Sequence, residues 1–154
     1  MDIRNRAVNA IILKSAAYRE QDRLLSVFTL EEGPHLVIAR GAMKPEGKLR
    51  PLSQAYTRAE LLLTPPRNGL SFLSEGRALE SYLSLDSGLS RFSRAAYIAE
   101  LTLNAVPEQR PAPSVYALLL ASYTLLKMDK ELDRTVRFFE LRLLRELGLM
   151  PELD

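Results

Sequence analysis

Up to about Ser81, apolar residues come in short runs or alternate with polar ones; beyond it they recur every three or four residues. The first pattern is that of strands and the second that of helices. Val8–Leu13 is apolar on both faces, as a buried strand would be. Leu24–Leu30 predicts a second strand, closed by the turn residues Glu31-Glu32-Gly33-Pro34. Leu36–Ala39 predicts a third, ending at Gly41. Tyr56–Leu61 alternates, with Thr57, Ala59 and Leu61 on one face and Tyr56, Arg58 and Glu60 on the other. Thr64-Pro65-Pro66-Arg67-Asn68-Gly69 cannot continue a strand and is a loop. Leu70–Ser74 and Arg77–Tyr82 complete a fifth strand, bent or bulged at Gly76. Five short strands predict a small, partly open barrel of the OB type, and an SH3-like barrel satisfies the same count.

The helical half opens with Ser90 or Ser93 as cap of a helix reaching about Val106. Pro107–Pro113, with three prolines, is a rigid connector. Ser114 then caps a second helix, on which Val115, Leu118, Leu119, Ser122, Leu125 and Leu126 share one face. Its other face, Ala117, Leu120, Ala121 and Thr124, is nearly as apolar, which predicts a central, buried helix. A third helix spans roughly Glu131–Leu147 and stops at Gly148 and Pro151. The fold class is therefore α+β: a barrel over residues 1–81, then a small helical bundle over 82–154.

On the third helix, Leu132, Val136, Phe139, Leu143 and Leu147 form one stripe, which should face the bundle core. Phe138 and Leu141 fall on the opposite side, among Arg134, Arg137, Arg142 and Arg145. An apolar centre ringed by guanidinium groups suits an acidic peptide that ends in a hydrophobic side chain and a carboxylate. The plainer alternative packs Phe138 and Leu141 on the barrel or first helix, with the arginines solvated or paired to Glu100 and Glu140.

Composition narrows the chemistry. The chain of 154 residues has no cysteine, which removes disulfides, thiol chemistry and Cys-ligated metal sites. A single histidine, His35, excludes a His-rich metal site and follows Gly33-Pro34, where a solvated turn position is expected. Glu31-Glu32 needs no role beyond solubility. There is no Gly-x-Ser-x-Gly elbow and no phosphate-cradling glycine loop, so no active site or cofactor is expected. No apolar run is long enough to span a bilayer and no signal peptide is recognisable, so an intracellular domain is expected.

Net charge is only +2, but it is unevenly placed: residues 1–80 carry 12 basic and 9 acidic side chains, residues 81–154 carry 9 and 10. Arg40–Arg58 holds Arg40, Lys44, Lys48, Arg50 and Arg58 against Glu46 alone. This reads as a flexible cationic loop suited to a polyanion, with Arg19 and Arg23 as flankers. Many solvated loops carry the same charge. Tyr56, on the polar face of its strand, is the candidate platform for a stacked base, while Phe72 is expected in the core.

Tyr18-Arg19-Glu20-Gln21-Asp22-Arg23-Leu24, Phe28-Thr29-Leu30-Glu31-Glu32-Gly33 and Ala39-Arg40-Gly41-Ala42 closely resemble the N-terminal domain of the RecO family of bacterial recombination mediators. Tyr97–Leu101 and Phe139–Leu144 through Asp154 resemble that family's helical domain. The resemblance implies an OB-fold followed by helices, and a cytoplasmic, nucleoid-associated, non-enzymatic mediator. Such a protein binds single- and double-stranded DNA, anneals strands and helps load RecA. It also implies two protein partners: RecR, and the acidic C-terminal tail of the single-stranded DNA-binding protein, which ends in phenylalanine. The arginine-ringed face of the third helix is the expected docking site for that tail. RecO chains commonly continue past the position of Asp154 into a cysteine-rich, zinc-binding element, so a truncated product and a natural short form both fit this sequence. Uncovered apolar surface on the second and third helices is then expected. An OB adaptor that contacts only proteins is the alternative.

Overall fold

The computed structural model describes residues 4–128 and 131–149. Five strands come first: β1 (Arg6–Tyr18), β2 (Asp22–Thr29), β3 (Gly33–Ala39), β4 (Thr57–Leu63) and β5 (Leu70–Ser81). Three helices follow: α1 (Leu89–Ala105), α2 (Pro113–Lys127) and α3 (Leu132–Glu146). The strands close into a barrel in the order β1-β2-β3-β5-β4, with β4 returning to β1. All pairings are antiparallel except β3 with β5, which is parallel and only three residue pairs long. This order is that of the OB-type barrel, and the barrel is closed rather than partly open.

The double-sided apolarity of β1 now has its cause. Val8, Ala10 and Ile12 point into the barrel, while Ile11 and Leu13 face outward into a second core shared with the helices. That second core joins Phe28, Tyr56 and Tyr82 from the barrel half to Ile98, Leu119, Tyr123 and Phe139 from the helices. Each such fully buried large side chain contributes about 1.5–3 kcal/mol by leaving water. The Tyr123 hydroxyl, buried with its ring, donates to the carbonyl of Ala95 at 2.9 Å and so is not left unpartnered.

Strand β5 runs unbroken, and its register shifts lie at Ser74 and Leu79 rather than at Gly76. Gly76 serves a different need: a Cβ there would sit 2.5 Å from the Glu60 carbonyl oxygen of β4. None of the serines Ser90, Ser93 and Ser114 caps a helix. α1 starts after Gly88, and α2 starts with Pro113 in its first turn after Ala112, neither with a side-chain cap. α3 ends as expected at Gly148, whose φ of +72° permits the reversal: the Gly148 amide donates to the Arg145 carbonyl and that of Leu149 to Leu144. Pro151 lies outside the described residues.

α2 is not buried all round. Val115, Leu118, Leu119, Ser122 and Leu126 are buried as expected, with Tyr116 and Tyr123 added. Ala117, Ala121 and Thr124 are exposed and Leu120 half-buried, because α1, α3 and the barrel cover one side only. Leu125 and Met128 are exposed as well, and so are Phe138, Leu141 and Leu144 on α3. Uncovered apolar surface on the second and third helices is thus present.

His35 departs furthest from expectation. It lies on β3, 2% exposed, with its Nε2 2.8 Å from the Ser71 hydroxyl and 3.2 Å from Arg6 Nη2. Arg6 also pairs with Glu32 and donates to the Thr64 carbonyl. Glu31 accepts from the Asn9 backbone and side chain at 2.8 Å each, so the two glutamates are structural. The same end of the barrel docks on the α1–α2 connector, where the Gln109 amide donates to the Pro34 carbonyl at 2.8 Å.

Candidate nucleic-acid interface

The loop after β3 is ordered into consecutive turns. Amides of Lys44, Gly47 and Arg50 donate to the carbonyls of Gly41, Lys44 and Gly47, and Leu52 and Ser53 continue the pattern. Ala42 and Leu52 are buried in the barrel core, so the loop caps one barrel end instead of waving free. It is stitched to the β1–β2 turn: the Gly41 amide donates to the Asp22 carboxylate at 2.9 Å and the Met43 amide to the Gln21 carbonyl. Anchoring the backbone leaves Arg40, Lys44, Lys48 and Arg50 exposed.

The expected site residues separate into three groups. Arg40, Lys44, Lys48, Arg50 and Arg19 are exposed cations that no carboxylate pairs among the described residues. Arg23 is half-buried instead, donating to the Ser15 hydroxyl at 2.6 Å and to its carbonyl at 3.1 Å, which ties β2 to β1. Tyr56 is withdrawn from the surface. The ring stays on the outer face of the barrel with Ile11 and Leu13, but the helices cover that face here and enclose it in the shared core. There it is 8% exposed, with its centroid 5.5 Å from that of Tyr123 and 6.1 Å from that of Phe92. Its ring is not available to a base.

Two other rings, of Phe72 and Tyr18, lie beside cations at one cleft. Phe72, expected in the core, is half-buried on the outer face of β5, beside Ile38 of β3. The Arg40 guanidinium lies 4.0 Å from the Phe72 ring centroid, and that of Arg19 lies 5.2 Å from Tyr18. Both rings line one cleft of about 630 Å³ with Arg19, Pro65, Pro66 and Arg67. The β1–β2 turn forms one wall and the β4–β5 loop the other. That loop is held by Thr64, whose hydroxyl accepts from the Phe72 amide at 2.8 Å, and by a tight turn through Asn68 and Gly69, both at positive φ. Cations beside aromatic rings on this barrel face are the arrangement that OB barrels use for oligonucleotides.

In the helical half, α3 faces the core with Thr135, Phe139 and Leu143 buried and Leu132 and Leu147 packed against them. Val136, expected in this stripe, is half-buried at a groove instead. Phe138 and Leu141 are 39% and 53% exposed and belong to neither apolar core. Arg142 lies 5.8 Å from the Phe138 ring centroid, and Arg134 pairs with Glu131. Arg137 flanks a groove with Arg94 and Asp133, and Arg145 stands exposed. Glu140 accepts from the Tyr97 hydroxyl at 2.7 Å, not from an arginine of this face. Among the described residues no three His, Cys, Asp or Glu side chains are grouped to hold a metal, and no helix is long and apolar enough to cross a membrane.

The family model described as Recombination protein O N terminal matches residues 3–82, and that described as Recombination protein O C terminal matches 87–154. The chain belongs to the RecO family. DNA repair protein RecO of Heliobacterium modesticaldum is 37% identical over 145 residues, 94% of this chain and 52% of that protein. RecO of Shouchella clausii is 31% identical over 146 residues, 95% of this chain and 57% of its own length. RecO of Exiguobacterium sibiricum is 34% identical over 146 residues, 94% of this chain and 57% of its own. The chain spans little more than half the length of these RecO relatives. Its barrel and helices correspond, in order, to the two family matches.

Proposed function

We propose that this chain is a non-enzymatic, DNA-binding recombination mediator, with a DNA-binding unit over residues 1–81 and a helical unit over 82–154. One observation carries the reading: the cluster of exposed cations Arg19, Arg40, Lys44, Lys48 and Arg50, paired with no carboxylate among the described residues, at one end of an OB-type barrel. Annealing by such a protein needs no catalytic side chain. Neutralised phosphates lower the repulsion between two strands and base pairing completes the reaction. Engagement of RecR and help in loading RecA are supported by family membership alone. The tail of the single-stranded DNA-binding protein is assigned to α3, supported by the exposure of Phe138 and Leu141 between arginines.

Salt dependence tests the DNA-binding reading. If about four phosphates are neutralised, log affinity should fall against log salt with a slope near −3 for single strands, at roughly −0.7 per phosphate. Replacing Lys44, Lys48 and Arg50 by Glu should weaken binding to all sequences alike and flatten that slope. An unchanged titration would remove the loop from the interface, and a protein that bound no DNA at any salt would favour the adaptor that contacts only proteins.

A further inference from the structure

In this fold the exposed face of Phe72 is already occupied. The Arg40 guanidinium, flat and 4.0 Å from the ring centroid, takes the position and spacing that a stacked base would take. Nearby, Arg19 sits beside Tyr18 in the same way, though more loosely. A guanidinium held over a ring by a protein carboxylate would be a fixed structural element. Arg40 has no such partner among the described residues, so only the ring and water hold it, and a strand bringing both a base and a phosphate offers each a better partner.

We infer that the cleft between Tyr18 and Phe72 is a base-stacking site for single-stranded nucleic acid, and that Arg40 is its placeholder. The base displaces the guanidinium from Phe72, and the freed guanidinium turns to the phosphate of the same nucleotide. Tyr18 takes a second base, with Arg19 and Arg67 along the strand on either wall. Paired bases are stacked on one another and cannot enter, so the cleft discriminates single strands from duplex where the cationic loop alone would not. This inference rests on the DNA-binding reading above and adds bases to its phosphates.

The test compares a single-stranded oligothymidylate with an abasic strand of equal length and charge, titrated at one salt concentration. Wild-type protein should bind the base-bearing strand at least about tenfold more tightly, one stacked base being worth a factor of roughly 5 to 150. Phe72→Leu and Tyr18→Leu should each reduce that ratio while leaving the salt slope unchanged. Arg40→Ala should do the opposite: a flatter slope, and a ratio equal to or larger than that of wild type because the ring is vacant. Equal affinity of the wild-type protein for both strands would overturn the stacking site and leave the phosphate reading intact. A ratio that survives both ring substitutions would overturn it too, since variants that still bind with the wild-type ratio are folded. Failure to bind either strand would overturn the DNA-binding reading itself.

Discussion

His35 is buried with its Nε2 against the Arg6 guanidinium and the Ser71 hydroxyl, surroundings that favour the neutral imidazole. Burial, then the charge of Arg6, holds His35 below its ordinary value of about 6.5, outweighing the opposing pull of Glu32 and Glu108. A depressed histidine binds protons more readily when unfolded. Stability should therefore be complete above about pH 6.5 and fall as the pH drops through the window below it. The Arg6 hydrogen bond likewise holds Glu32 below the ordinary carboxylate range, so its contribution is lost only at more acid pH. Urea midpoints measured from about pH 2 to 8 should show both limbs, and His35→Gln should flatten the one that sets in below about pH 6.5. Gly33, two residues away, admits no side chain: its φ is +77° and a Cβ would lie 2.0 Å from the Arg110 carbonyl oxygen. Gly33→Ala should cost roughly 2–4 kcal/mol in urea unfolding. A cost below about 0.5 kcal/mol would mean that the connector does not pack against Gly33 in solution. Little of this was legible in the sequence, because Gly33-Pro34-His35 reads as a turn whether or not a distant connector lies on top of it.

At the scale of elements, the hydrophobic period located all five strands and three helices, because burial on one face or two leaves a local signature. Their ends were less legible. α1 and α2 begin without a side-chain cap, so the nearby serines pointed to starts that the chain does not use. Tyr56 keeps the alternation that runs on through β4, with Thr57, Ala59 and Leu61 on the other face, but alternation does not say that helices distant in sequence cover the outer face at this point. On α3 the core position expected for Val136 is taken by Thr135, but most of the stripe was legible, and with it the exposed face of Phe138 and Leu141. For that face a fluorescent acidic peptide ending in phenylalanine should bind, and Arg137→Glu with Phe138→Ala should weaken it by about tenfold or more. Undiminished affinity in a variant that circular dichroism shows to be folded would take the peptide off this helix.

For the whole molecule, the barrel and helices share one apolar cluster, so the site on the barrel face and the face on α3 belong to a single packed body. The cationic loop was visible as a cluster of charge, but the cleft beside it was not. It is assembled from the β1–β2 turn, the end of β3 and the β4–β5 loop, which lie far apart in sequence and meet only when the barrel closes. That closure is uneven. The β3–β5 join is the one parallel pairing and consists of Leu36, Val37 and Ile38 opposite Leu70, Ser71 and Phe72. Parallel pairing is slightly weaker per residue, and a short join lacks neighbours to reinforce it. Amide hydrogen exchange should therefore find the barrel opening at this join before the long β1–β2 and β1–β4 ladders yield. Phe72 and Ile38 border the cleft, so an oligothymidylate bound there would act as a clasp, slowing exchange in these six residues more than in β1.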